Sequence, residues 1–284
     1  MVRIHVVRAS HLLAAFAAIV LIALLIIFLL TGAFRDDRKT TDNAHYALWE
    51  AEAAFVSASA IFSPEERGES APEKEEKPVS ILIYHTHTHE AYQKKATDEY
   101  VETTAWRTKD NLHNIVRVGE ELAEQLRKKG FTVIHDTTDH ELTDLSTAYT
   151  RSLATMEKYA GEIDVYIDLH RDAYNKNGSG NPFSIVTENQ SLARLMFLVG
   201  NGKGFSDEMH YLQNYELATL LTGKINSLVP GLCRPVMVKD GRYNQHLCER
   251  SLLIEVGHNN NDIEEALASV SYLADALESV LKNL

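Results

Sequence analysis

The chain has 284 residues, a formal net charge of −12, 45% hydrophobic residues and 24% charged residues. That is enough apolar side chain for a buried core, and the acidic balance disfavours nucleic acid, whose phosphates select for Lys and Arg. The two cysteines, Cys233 and Cys248, are too few for a disulfide framework and read as buried small residues.

The amino-terminal stretch differs from the rest. Residues 12–30 are apolar at every position, close to the ~20 residues that span a bilayer as a helix. No polar stripe interrupts the run, which sets aside a soluble amphipathic helix. A cleaved signal peptide competes, but its apolar core is usually shorter, and Thr31-Gly32-Ala33 is a mediocre cleavage site. Arg3 and Arg8 precede the run. Arg35 and Arg38 follow, mixed with Asp36 and Asp37, so the flanking charge orients it only weakly. The expectation is a cytoplasmic tail at 1–11, an uncleaved transmembrane anchor at 12–33, an acidic extracytoplasmic tether at 34–78 and a larger domain at 79–284. The expected protein is thus single-pass in the cell membrane, with its bulk outside. The end of the tether is dense in Glu and carries Pro64, Pro72 and Pro78, a composition that stays solvated and extended.

From residue 79 onward, strand and helix patterns alternate. Strands are expected at 80–84, 131–135, 165–169, 194–199 and 252–256, with a short one at 236–238. Helices are expected near 111–129, 146–159, 216–228 and 262–281. A Gly/Asn-rich loop runs through Asn181. The alternation predicts an α/β domain, a mostly parallel sheet sandwiched between helices.

Three of these strands end in chemistry. The first runs into His85-Thr86-His87-Thr88-His89-Glu90, the third into His170-Arg171-Asp172, and the last into Glu255-Val256-Gly257. In an open α/β sheet the carboxyl ends of the strands line the ligand crevice. Histidine is a common zinc ligand, and catalytic zinc sites take three protein ligands. Three histidines within five residues, followed by a glutamate, favour a metal over a merely solvated strand end. Glu255 closes an apolar strand, and carboxylates are seldom buried unpaired. It either meets a cation such as Arg242 or Arg250, or it works in a site. Asp110 precedes a predicted helix, where it serves equally well as an N-cap or as a ligand; His113 is the reserve candidate.

At these residues the chain resembles the stage II sporulation protein P family, membrane-anchored cell-wall amidases of endospore formers. The resemblance runs from Ile81 to about Leu281. It rests on Ile83-Tyr84-His85-Thr86-His87-Thr88 with Glu90, Asn114-Ile115-Val116-Arg117-Val118-Gly119 with Leu122, His135-Asp136, Ile167-Asp168-Leu169-His170-Arg171-Asp172, Arg242-Tyr243-Asn244-Gln245 and Leu252-Leu253-Ile254-Glu255-Val256-Gly257. That family is similar in turn to the zinc N-acetylmuramoyl-L-alanine amidases. The resemblance implies an amidase-like fold and a zinc ion held by His87 (with His85 close behind), Asp110 and His170. It also implies Glu255 as catalytic base. Arg171, Arg242 and Asn244 become candidates for holding the peptide stem, although Arg171 has a structural alternative in pairing with Asp168 or Asp172. The implied substrate and partner is peptidoglycan, with a glycan-cleaving protein alongside and endopeptidase action in addition. Two stretches depart from the family pattern: Met209-His210-Tyr211-Leu212 stands where His-Pro-Asn-Trp is usual, and Gly257-His258 where Gly-Gly is usual. The rival reading is a domain that keeps the fold and binds the wall or a partner without cutting.

Overall fold

The computed structural model describes residues 77–142, 144–173, 183–206 and 209–284. The expected anchor and nearly all of the tether lie outside the described residues, as does most of the loop through Asn181. Among the described residues, no helix is long and apolar enough to cross a membrane.

Six strands form the main sheet: β1 (Ser80–Tyr84), β2 (Thr132–His135), β3 (Val165–Asp172), β6 (Leu195–Gly200), β7 (Met237–Lys239) and β8 (Ser251–His258), in the order β2-β1-β3-β8-β6-β7. β1 pairs in parallel with β2 and β3, β3 with β8, and β6 with β7. The β6–β8 pairing is antiparallel. The sheet is therefore mostly parallel, as the strand–helix alternation requires, with a reversed edge. Two short strands, β4 (Ser184–Val186) and β5 (Ser191–Ala193), form a separate antiparallel hairpin. The sequence pattern contains no hint of it, because three-residue strands are too short to show a period.

Four helices complete the domain: α1 (Ile115–Lys128), α2 (Ala148–Lys158), α3 (Tyr211–Leu228) and α4 (Ile263–Leu281). α1 starts later than its apolar pattern suggests. Asp110 closes a local turn by accepting from the Leu112 amide at 3.0 Å, a competitor to helix that Asp offers wherever its side chain reaches two residues on. Asn114 is the N-cap instead, accepting from the Val116 amide at 2.9 Å. α4 opens with a capping box between Asp262 and Glu265.

The two faces of the sheet are covered unequally. Side chains alternate along a strand, and Ile81, Ile83, Ile167, Leu169, Ile254 and Val256 join one core with Ile115, Val118, Leu122 and Leu126 of α1, Leu221 of α3, and Val270, Leu273 and Leu277 of α4. On the opposite face a much smaller core holds Leu82, Tyr84 and Tyr166 against Met156 of α2. The next residues of β3 in the Tyr166 register are Asp168 and His170, so the chemistry lies on the thinly covered face.

Candidate active site

β1 ends at Tyr84, and residues 86–89 turn. That turn separates the three histidines. His85 keeps the register of Ile81 and Ile83 and passes beneath α1. It is fully buried; its Nδ1–H donates to the Leu169 carbonyl at 2.9 Å, and its Nε2 faces His135 Nε2 at 2.9 Å. Burial, reinforced by His135, pushes its pKa down to about 3. Gly119 accounts for the fit, because a Cβ there would lie 2.6 Å from two His85 ring atoms and 2.7 Å from His135.

His87 turns the other way. Its Nδ1 lies 3.0 Å from Glu141 Oε1, and its ring stands edge-on to His170, with centroids 5.4 Å apart, and to Tyr149 at 5.7 Å. His170 sits between two carboxylates, with Nδ1 3.3 Å from Glu90 Oε2 and Nε2 2.9 Å from Asp168 Oδ1. Proximity is not bonding here: the direction from Nε2 to Asp168 is unfavourable, and Nε2 has no hydrogen-bond partner. Burial pushes the His170 pKa down, but Asp168 and Glu90 overrule it and hold the pKa well above the ordinary value. Burial pushes Glu90 up, and His170 and Arg171 bring it back down to about 2.

Glu255 is the register partner of His170 across β3 and β8. It is buried, and its Oε2 lacks a hydrogen-bond partner. Among the described residues no ion pair with Glu255 is found, so the expected pairing with Arg242 or Arg250 is not seen there. Burial pushes its pKa up to about 8, with His170 opposing and Glu90 and Asp172 adding to the rise. A buried polar atom left unsatisfied costs about 1–3 kcal/mol, so the two orphan atoms of His170 and Glu255 mark a place built for something else. Among the described residues, no group of three His, Cys, Asp or Glu side chains is already arranged to hold a metal ion. The donor chemistry nonetheless suits one: two imidazoles and a carboxylate, among buried carboxylates that favour positive charge.

The other expected residues separate from this cluster. Asp110 pairs with His113 Nδ1 at 3.0 Å, and His113 stacks on Tyr100 with centroids 4.6 Å apart; neither is brought to His87 or His170. Of the two carboxylates beside His170, Glu90 is the one the sequence placed in the histidine cluster without a role. Only the turn after β1, which aims Glu90 back at β3, gives it one. Arg171 is committed to protein partners, mostly backbone carbonyls, and meets the expected Asp172 only at its carbonyl, 3.4 Å from Nη1. Its Nε donates to the Ala91 carbonyl at 2.8 Å and Nη2 to the Trp106 carbonyl at 2.9 Å, while the Asp172 carboxylate is taken by Arg234. Asn244 straps α2, donating to the Tyr149 carbonyl at 2.8 Å and to Ser152 Oγ at 3.0 Å. Arg242 lies over the Phe205 ring at 4.7 Å. Of the two departures from the family pattern, His258 stacks on Phe183 with centroids 4.5 Å apart. Cys233 and Cys248 are both free thiols.

Fold and site together define an α/β domain with a histidine–carboxylate cluster at the carboxyl ends of its central strands. A model of the Stage II sporulation protein P family matches residues 34–278, and the chain belongs to that family. Stage II sporulation protein P of Bacillus subtilis (strain 168) is 26% identical over 214 residues, covering 70% of this chain and 50% of that protein. The chain thus spans about half the length of the curated relative it matches. Among solved structures, the N-acetylmuramoyl-L-alanine amidase from Clostridium difficile 630 aligns at 18% identity and TM-score 0.44, over 72% of this chain and 96% of its own. The CwlD amidase from Clostridioides difficile, in complex with the GerS lipoprotein, aligns at 15% identity and TM-score 0.44, over 72% and 97%.

Proposed function

We propose that the domain is a zinc-dependent peptidoglycan hydrolase that cuts the amide between N-acetylmuramic acid and L-alanine of the stem peptide, in the wall remodelling of sporulation. The observation that carries this reading is Glu255, buried beside His170 with one oxygen unpartnered and its pKa pushed up to about 8. A carboxyl with a pKa near the working pH both accepts and returns a proton. Family membership supports the substrate class.

His87, Glu90 and His170 would hold the zinc, with Glu90 replacing the Asp110 expected from sequence. Bound there, the metal supplies a Lewis acid and lowers the pKa of water to about 7. Glu255 takes the proton from the attacking water. It then delivers that proton to the alanine nitrogen as the carbon–nitrogen bond breaks, so the amine leaves neutral. Asp168 stays ionised: its burial is outweighed by His170 and by Thr86, whose amide donates at 2.8 Å and hydroxyl at 2.6 Å. In that state its charge, 2.9 Å from Nε2, holds the His170 pKa up. Tyr149 stands edge-on to both His87 and Tyr243, beside the proposed site.

The test is stem-peptide release from purified peptidoglycan, with bound zinc measured in parallel, for the wild type and Glu255→Gln. The expected outcome is equal zinc content with release reduced at least 100-fold in the variant, the scale of a lost acid–base group. Release of single amino acids instead of whole stems would mean a carboxypeptidase, and equal release from both proteins would remove Glu255 from the mechanism.

A further inference from the structure

Glu141 lies outside every strand and helix, yet its side chain is nearly fully buried. One oxygen, Oε1, meets His87 Nδ1 at 3.0 Å. The other, Oε2, meets His89 Nδ1 at 3.0 Å and accepts from Arg107 Nη2. The placement of the residue is itself braced. Asp139 Oδ1 accepts from the Glu141 amide at 2.8 Å and from Thr88 Oγ1 at 3.0 Å, and Asp139 Oδ2 holds the far nitrogen of His89 at 2.9 Å. The alternating histidines are thus explained as two functions on one turn: His87 faces the crevice, and His89 helps to hold the group that aims it.

A carboxylate paired with a guanidinium is ionised and only accepts hydrogen bonds. The proton on His87 must therefore sit on Nδ1, which leaves the lone pair of Nε2 free. We propose that Glu141 is a positioning residue: it fixes the tautomer and ring orientation of His87 so that Nε2 is presented to the crevice shared with His170. Carboxylates that orient a metal-binding histidine in this way raise its basicity, and their loss typically costs 10–100-fold in metal affinity. The inference rests on the zinc reading of the same site, but the tautomer of His87 is observable without metal.

The experiment uses the full chain in detergent, with 15N-labelled histidine and zinc affinity from competition with a chromophoric chelator. The variants are Glu141→Ala, Glu141→Gln and Arg107→Ala. Expected are an Nδ1-protonated His87 in the wild type and a mixture of tautomers in Glu141→Ala, with zinc affinity about 10–100-fold weaker. Glu141→Gln keeps an acceptor oxygen and recovers a substantial part of both signals. Arg107→Ala keeps the His87 contact and stays within a few-fold of the wild type in both. An unchanged tautomer and unchanged zinc affinity in Glu141→Ala would overturn the proposal. If Glu141→Ala fails to fold, Glu141→Met, which keeps the volume and has no acceptor oxygen, takes its place: mixed tautomers with weaker zinc binding support the role, and an unchanged tautomer with unchanged affinity overturns it. A wild type that binds no zinc would end the metal reading, while the His87 spectrum would still decide the role of Glu141.

Discussion

His85 and His87 are two residues apart and have opposite fates. One is pushed to a pKa of about 3 under α1. The other is held by Glu141 at the crevice. Residue type alone could not separate them, since both are histidines at a strand end. The same holds for the acidic candidates. Asp110 is half-exposed and engaged with His113, whereas Glu90 is buried against His170. If Glu90 is a zinc ligand as proposed, Glu90→Gln should lower zinc affinity by at least about 10-fold, the smallest loss typical even of an outer contact. Asp110→Asn should bind zinc as the wild type does. Zinc titration of both variants decides the assignment, and the opposite ranking would return Asp110 to the site.

At the scale of elements, α1 is positioned by a close approach to two histidines. Glycine inside a helix is ordinarily about 1 kcal/mol worse than alanine, so Gly119→Ala in open space would stabilise. Here the added methyl would sit 2.6–2.7 Å from ring atoms of buried His85 and His135, and overpacking of that kind costs about 1–3 kcal/mol. The expected net result is a lower melting temperature for Gly119→Ala, partly restored when His85→Ala is added. A melting temperature at or above that of the wild type would refute the close packing of α1 on these rings. The turn after β1 is the second decisive element. By ending the strand at Tyr84 it breaks the two-residue period and turns His87 and Glu90 towards β3.

For the whole molecule, the unequal cover of the sheet accounts for where the candidate site lies. One face carries three helices and the large core; on the other, a much smaller core packs against α2. For the apolar run within residues 12–33 we propose a membrane anchor, on its length and composition. In cell fractionation the full chain should stay with the membranes after a high-salt wash, and a chain starting at residue 79 should not. Recovery of the full chain in the salt wash would argue against the anchor.

Much of this was legible in the amino-acid order. The strands at β1 and β8 read as apolar runs and β3 as one interrupted only by Asp168, as strands buried on both faces do, and the residues that close those runs are the ones gathered at the candidate site. His170 and Glu255 needed only that rule. The reversed β6, the β4–β5 hairpin, the Asn114 cap and the choices of His87 over His85 and of Glu90 beside His170 did not follow from it. Period and composition are properties of a segment, whereas the partner of a side chain depends on which way a turn sends it and which face of the sheet is left uncovered. Those two things are settled only when distant parts of the chain pack together.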